Sequence, residues 1–187
     1  MNALPQSLNL YLIGLMGSGK TTVGKALSEK LGYRFFDTDT VIEQLAQQPI
    51  SEIFATSGEA AFRQLETQVL AELSAYRRLT IATGGGIVLD RRNWSHLKHG
   101  LIVWLDVAVE EICDRLQGDV SRPLLQGADP HQKLSALLEQ RRPLYAQADL
   151  QVSVQAGETP EAIALRILAE VPKVLKTSEI SLESQIN

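Results

Sequence analysis

Short, almost wholly apolar runs alternate along this chain with longer segments in which apolar residues recur at the helical period. Five runs predict strands: Leu8 to Ile13, Tyr33 to Phe36, Leu79 to Ala82, Leu101 to Leu105 and Leu150 to Val154. The intervening helices are Lys20 to Leu31, closed by Gly32, then Gly58 to Tyr76, Val107 to Leu116, and Pro130 to about Arg142. A last helix, capped by Thr159 with Pro160 in its first turn, reaches about Val171. Strands alternating with helices argue for one α/β domain, a five-stranded, mostly parallel sheet flanked by helices.

The stretch Gln117 to Asp129 has two glycines, a proline and no period, which predicts a mobile lid over about 117–129. Beyond Lys176 the sequence turns polar, so the domain is expected over 1–176, with a frayed tail at 177–187.

Composition changes this picture little. A chain of 187 residues and 20.6 kDa can bury a core without disulfides, and its single cysteine, Cys113, sits in a helical stretch. The expected compartment is therefore a reducing cytoplasm. Met1 to Gln6 lacks the basic start of a signal peptide, and Leu8 to Ile13 is too short to span a bilayer, so no membrane partner is expected. Net charge is more informative. At -4, with pI about 5.4, the molecule as a whole does not attract nucleic acid, and any anionic ligand must be caught by placed arginines and backbone amides. We expect a monomer.

The residues that follow the strands carry the chemistry, because parallel sheets bind ligands beyond the carboxyl ends of their strands. After the first comes Gly14-Leu15-Met16-Gly17-Ser18-Gly19-Lys20-Thr21, the G-x-x-x-x-G-K-[ST] phosphate loop between a strand and a helix. Its glycines let successive N–H groups face an anion at a helix N-terminus. In that role Lys20 reaches the β- and γ-phosphates and the Thr21 hydroxyl ligates Mg²⁺. Nucleotide binding follows, but a reaction does not.

After the second strand, Asp37 and Asp39 suggest a carboxylate for Mg²⁺ through water and one for an acceptor hydroxyl. The plainer role is a cap, with Asp39 or Thr40 opening a helical stretch over Val41 to Gln47. After the third, Gly84-Gly85-Gly86 suits close approach of a ligand to the main chain, or an unusual tight turn. Arg63 taken singly reads as a helix-surface arginine paired with Glu66, and Arg141 as a charge suited to a helix C-terminus. Arg122, before Pro123, is either a solvated loop residue or an arginine that swings onto a transferring phosphoryl group.

Taken together these pieces resemble the shikimate kinase family from about Leu10 to Asp149. The resemblance rests on the phosphate loop, Phe36-Asp37-Thr38-Asp39, Ile53-Phe54, Gly58-Glu59, Phe62-Arg63 and Glu66, the triple glycine, Arg122-Pro123-Leu124-Leu125, and Arg141-Arg142-Pro143-Leu144-Tyr145. It implies an ATP-dependent, Mg²⁺-requiring phosphotransferase acting on the 3-hydroxyl of shikimate. Asp39 would be the base, and Asp37 would act on Mg²⁺ through water. Arg63 and Arg141 would clamp the shikimate carboxylate beside main-chain N–H groups of Gly84, Gly85 and Gly86, within an acceptor-binding region of about 37–66.

On the nucleotide side the resemblance implies Gly17, Ser18, Gly19, Lys20, Thr21 and Thr22, with Arg115 against the adenine and Arg122 on the phosphates. Gln155-Ala156-Gly157-Glu158 departs from the pattern in lacking the basic residue that some members carry there. The rivals are a gluconate or nucleoside monophosphate kinase and a nucleotide-binding protein without transfer activity.

Overall fold

The structure is a computed structural model that describes residues 8–117 and 129–186, with side chains through residue 175. Five parallel strands, β1 (Leu10–Ile13), β2 (Arg34–Asp37), β3 (Leu79–Ala82), β4 (Leu101–Val107) and β5 (Leu150–Val154), form one sheet in the order β2-β3-β1-β4-β5. Every residue of the central β1 is buried, and so is every residue of β3, as strands covered by helices on both faces require. The edge strand β5 alternates buried and open positions beyond its first residue.

Helices α1 (Lys20–Leu31), α2 (Thr38–Ala46), α3 (Ile50–Ser74), α4 (Arg91–Leu97), α5 (Val109–Arg115), α6 (Pro130–Tyr145) and α7 (Pro160–Ile186) connect and cover the strands. The register Leu12–Ala82 between β1 and β3, and Asp37–Ala82 between β2 and β3, brings the ends of three adjacent strands level. The phosphate loop, Asp37 and the triple glycine therefore leave the sheet side by side.

All five strands match the predicted runs closely; the helices differ in instructive ways. The cap of α2 is Asp37, whose side chain accepts from the Asp39 N–H, and not Asp39 or Thr40. Asp37 ends β2 in extended geometry (φ -113°, ψ 120°), the conformation a capping residue needs, while Asp39 is already inside the helix. Helix α3 begins at Ile50 instead of Gly58 and is broken at Gly58, where φ is 79° and ψ is 171°. The extra turns exist because Ile53 is buried and Phe54 packs on Phe62 across the break, ring centroids 4.8 Å apart.

Helix α4, and a 3-10 turn at Ile87–Leu89, are too short to show a period, and only tertiary contacts define them. Trp94 and Leu97 are buried, and Asn93 Nδ2 and Trp94 Nε1 donate to the carbonyls of Ile87 and Val88. Helix α6 runs through Pro143 to Tyr145, past the predicted end near Arg142, because the Tyr145 side chain is fully buried and anchored. Helix α7 begins as expected, with Thr159 Oγ1 accepting from the Ala162 N–H. It then passes Val171 and Pro172 and continues to Ile186, where the sequence predicted an end near Val171 and a frayed tail. Val171 is buried, and Val174 and Leu175 pack on the core, so the apolar face outlasts the proline. The segment 118–128, most of the expected lid, lies outside the described residues.

Candidate functional site

The loop between β1 and α1 folds by local chemistry. Gly14, Gly17 and Gly19 have φ of 141°, 77° and 89°, values that a side chain disfavours. Gly19 caps α1 without a side-chain acceptor, so the first N–H groups of the helix point at open space beyond the sheet. Lys20, only 8% exposed, folds back into this loop, its Nζ donating to Gly14 O (2.9 Å), Leu15 O (2.6 Å) and Ser18 Oγ (3.3 Å).

Above the loop opens a cavity of about 670 Å³. Gly17, Ser18, Gly19, Lys20, Thr21, Thr22, Asp37, Asp39, Gly85 and Arg115, all singled out in the sequence, line it. Thr21 Oγ1 donates to Asp37 Oδ2 at 2.6 Å. Arg115 is held at the far wall by Glu111 (3.0 Å), with Nη1 3.5 Å from Gly17 O. Residues 157–160 and Ile163 close the same end.

A second cluster gathers behind Gly85. Glu66, on the buried face of α3, accepts from Arg63 Nη1 at 2.8 Å, and Arg63 Nη2 also donates to Glu59 at 3.1 Å. Arg141, 5% exposed, donates from Nη1 to Gly85 O at 3.0 Å, and Tyr145 Oη donates to the same oxygen at 2.6 Å. Glu66 Oε1 and Arg141 Nε are buried without a hydrogen-bond partner among the described residues, polar capacity that a ligand can use.

Each of the three glycines faces a different neighbour. A Cβ on Gly84 would stand 2.6 Å from Glu66 Oε1 and 2.8 Å from Asp39 Oδ1, one on Gly85 would press on Met16 N (3.2 Å), and one on Gly86 would fall inside the Arg63 guanidinium. The triple glycine is thus the plane on which two carboxylates, an arginine and the phosphate loop all rest. The Gly84 N–H already donates to Thr38 Oγ1 (3.0 Å), an engaged donor that the sequence does not reveal.

Burial governs the electrostatics. It raises the Glu66 carboxyl above its ordinary value, with the neighbouring Arg63 pulling the other way and Asp39 adding to the rise. Burial also pushes the Tyr145 hydroxyl up to about 12, so it stays a donor to Gly85 O. Tyr145, Thr38 and the inward role of Glu66 escaped sequence reasoning. All three stand in the motifs that carry the resemblance, and the spacings Arg141 to Tyr145 (i, i+4) and Arg63 to Glu66 (i, i+3) put two of them beside an arginine, but neither signal assigns a role. Arg122 lies outside the described residues.

Comparison with known proteins gives the family. The family model for shikimate kinase matches residues 16–172. The shikimate kinase of Trichormus variabilis is 61% identical over 176 residues, covering 94% of this chain and 97% of its own. That of Synechococcus elongatus is 56% identical over 179 residues, covering 96% and 94%. Among solved structures, the shikimate kinase from Acinetobacter baumannii in complex with shikimate superposes with a TM-score of 0.84 at 43% identity, covering 87% of this chain and 92% of that one. With a matching family model across most of its length and relatives above half identity, this chain belongs to the shikimate kinase family.

Proposed function

We propose that this chain transfers the γ-phosphoryl group of ATP to the 3-hydroxyl of shikimate, giving 3-phosphoshikimate and ADP. The observation that carries the reading is the placing of two arginines, Arg63 and Arg141, on the triple-glycine turn whose middle residue also lines the phosphate-loop cavity. An acid bound there sits beside the γ-phosphate. Planar guanidinium groups pair with a carboxylate through two hydrogen bonds each, which suits a compact acid better than a polyol or a nucleotide base.

In this reading ATP lies in the cavity with its phosphates on the amides of Gly17, Ser18 and Gly19 and on the start of α1, including Thr21 and Thr22. Lys20 exchanges its contacts with the Gly14 and Leu15 carbonyls for β- and γ-phosphate oxygens. Thr21 Oγ1 and Asp37 Oδ2, 2.6 Å apart, are hard oxygen donors that fit Mg²⁺, which the hydroxyl would hold directly and Asp37 through water. Bound there, Mg²⁺ would supply charge neutralisation for the phosphates. Arg115 lies against the adenine, and Arg122 is the lid arginine that meets the phosphates as water is excluded.

Asp39 orients the acceptor hydroxyl and takes its proton as the new O–P bond forms and the bond to the ADP oxygen breaks. Arg63 and Arg141 hold the shikimate carboxylate, with Gly84 to Gly86 at its back. Glu66 keeps Arg63 in place from below. The catalytic unit is the domain of residues 1–176, with its acceptor region at about 37–66, its lid at about 117–129 and a polar tail at 177–187. It acts as a cytoplasmic monomer without nucleic acid or membrane partners. Among the described residues no helix is long and apolar enough to cross a membrane.

A coupled assay of ADP release tests the proposal. Release that depends on shikimate supports it. Release driven by gluconate or a nucleoside monophosphate in place of shikimate, or none with any acceptor, overturns it in favour of the corresponding rival.

A further inference from the structure

The loop that closes the far end of the cavity is built from residues with no positive charge, yet an arginine from elsewhere holds it. Glu158 turns inward, its side chain only 17% exposed, and its Oε2 accepts from Gln155 N at 3.1 Å. The same oxygen accepts from Arg166 Nη2 at 2.9 Å, and that nitrogen also donates to Ser153 O at 2.7 Å. The Glu158 N–H closes the turn onto Gln155 O at 3.1 Å, and Gly157 takes φ 73° at its tip.

One guanidinium nitrogen thus ties Ser153 of β5 to Glu158, which in turn holds the Gln155 N–H. Arg166 gives up hydration to do so, since its Nε is buried without a hydrogen-bond partner among the described residues. A helix arginine that merely solvated α7 would extend outward. Gly157, Glu158, Thr159 and Pro160 line the same cavity as Arg115, whereas Arg166 does not reach it.

We propose that Arg166 is a positioning residue for the nucleotide: through Ser153 O and Glu158 it presets the 155–160 loop against which the base end of ATP packs. The arginine acts on loop shape from helix α7 and does not touch the nucleotide. The proposal rests on the reading of the cavity as the nucleotide site. A preset loop spares the ligand the entropic cost of ordering it, so the effect falls on nucleotide affinity alone.

The test uses the full chain as wild type, Arg166→Met, Glu158→Gln and the double variant, titrated calorimetrically with ADP and Mg²⁺ and assayed with ATP and shikimate. Loss of one charge-assisted pair predicts a rise in the ADP Kd, and in the KM for ATP, of about five- to tenfold for Arg166→Met and about twofold for Glu158→Gln. The KM for shikimate should stay within about twofold, and the double variant should match Arg166→Met, because the two residues act as one unit.

The Gln155 amide should exchange with solvent faster in both single variants, a readout independent of turnover. The proposal is overturned by an unchanged ADP Kd, by an equal rise in the KM for shikimate, or by effects that multiply in the double variant. Should Arg166→Met fail to fold, Glu158→Gln decides by the ADP Kd and the exchange of the Gln155 amide, and the proposal is overturned if both are unchanged. A wild-type protein that does not bind ADP would instead refute the nucleotide reading, and ADP binding without shikimate turnover would refute only the acceptor.

Discussion

The phosphate loop and the acceptor cluster meet at Gly85 but are built in opposite ways. Lys20 is held by Gly14, Leu15 and Ser18, each within six positions of it, so the loop carries its own scaffold. The acceptor cluster joins Thr38 and Asp39 of α2, Arg63 and Glu66 of α3, the triple glycine and Arg141 and Tyr145 of α6, through bonds that span 46, 56 and 60 positions. A local motif can be recognised by its letters; a dispersed one acquires meaning only when the chain has folded. The comparison also predicts how each region fails: a change in one should leave affinity for the other's ligand largely intact.

Asp39→Asn should have the largest effect, lowering kcat on the order of a thousandfold while ADP binding, followed by calorimetry, remains. Near-normal turnover would remove its role as base or orienter. Next comes Arg63→Ala, expected to weaken shikimate capture by about 2 to 4 kcal/mol, as kcat/KM for shikimate reports, since it removes one arm of the proposed clamp and leaves Glu66 buried without its cation. An unchanged value returns Arg63 to an ordinary helix-surface arginine.

The sharpest pair is Gly86→Ala against Gly17→Ala. Gly86 has an ordinary φ of -97°, so an added methyl only displaces the Arg63 guanidinium, which should raise the KM for shikimate by about tenfold and spare that for ATP. Gly17, at φ 77° and with Ile112 and Leu116 within 3.2 Å of an added Cβ, should show the converse, strain of about 1 to 3 kcal/mol appearing in ATP affinity. Loss of both affinities in either variant would mean that the two regions are not separable.

Smallest is Tyr145→Phe, which removes one hydrogen bond to Gly85 O and should cost about 1 kcal/mol in a denaturant titration at neutral pH. Its pH dependence is more telling. The folded hydroxyl titrates at about 12 against an ordinary 10.0, so between these values the native state holds more protons than the unfolded one. Stability should therefore fall as pH rises from 10 through about 12, by on the order of 2 to 3 kcal/mol. The phenylalanine variant should lose that part of the slope, and a slope equal to wild type would show the hydroxyl to be solvated.

Much of the fold was legible because it depends on patterns that stay local. Apolar runs located all five strands, Gly32 closed α1 in a left-handed conformation, and Thr159 with Pro160 opened α7. The misread boundaries share a cause. The ends expected near Arg142 and Val171 are passed, through Pro143 and Pro172, because Tyr145, Val171 and Val174 keep packing and carry the helices on. The early start of α3 depends on the tilted contact of Phe54 with Phe62 across the break at Gly58, a packing interaction that helix propensities do not register.

The site divides along the same line. A run of eight residues after a strand needs no partner to define its chemistry, since its glycine conformations and helix N-terminus already make an anion cradle, and this much the sequence determined alone. Arg63, Glu66, Arg141 and Tyr145 look like helix-surface or helix-end residues until the sheet order sets α3 and α6 on either side of Gly85. Only the tertiary structure made them one site, because guanidinium, carboxylate and hydroxyl groups gain directed strength when burial strips their water and leaves each other as partners.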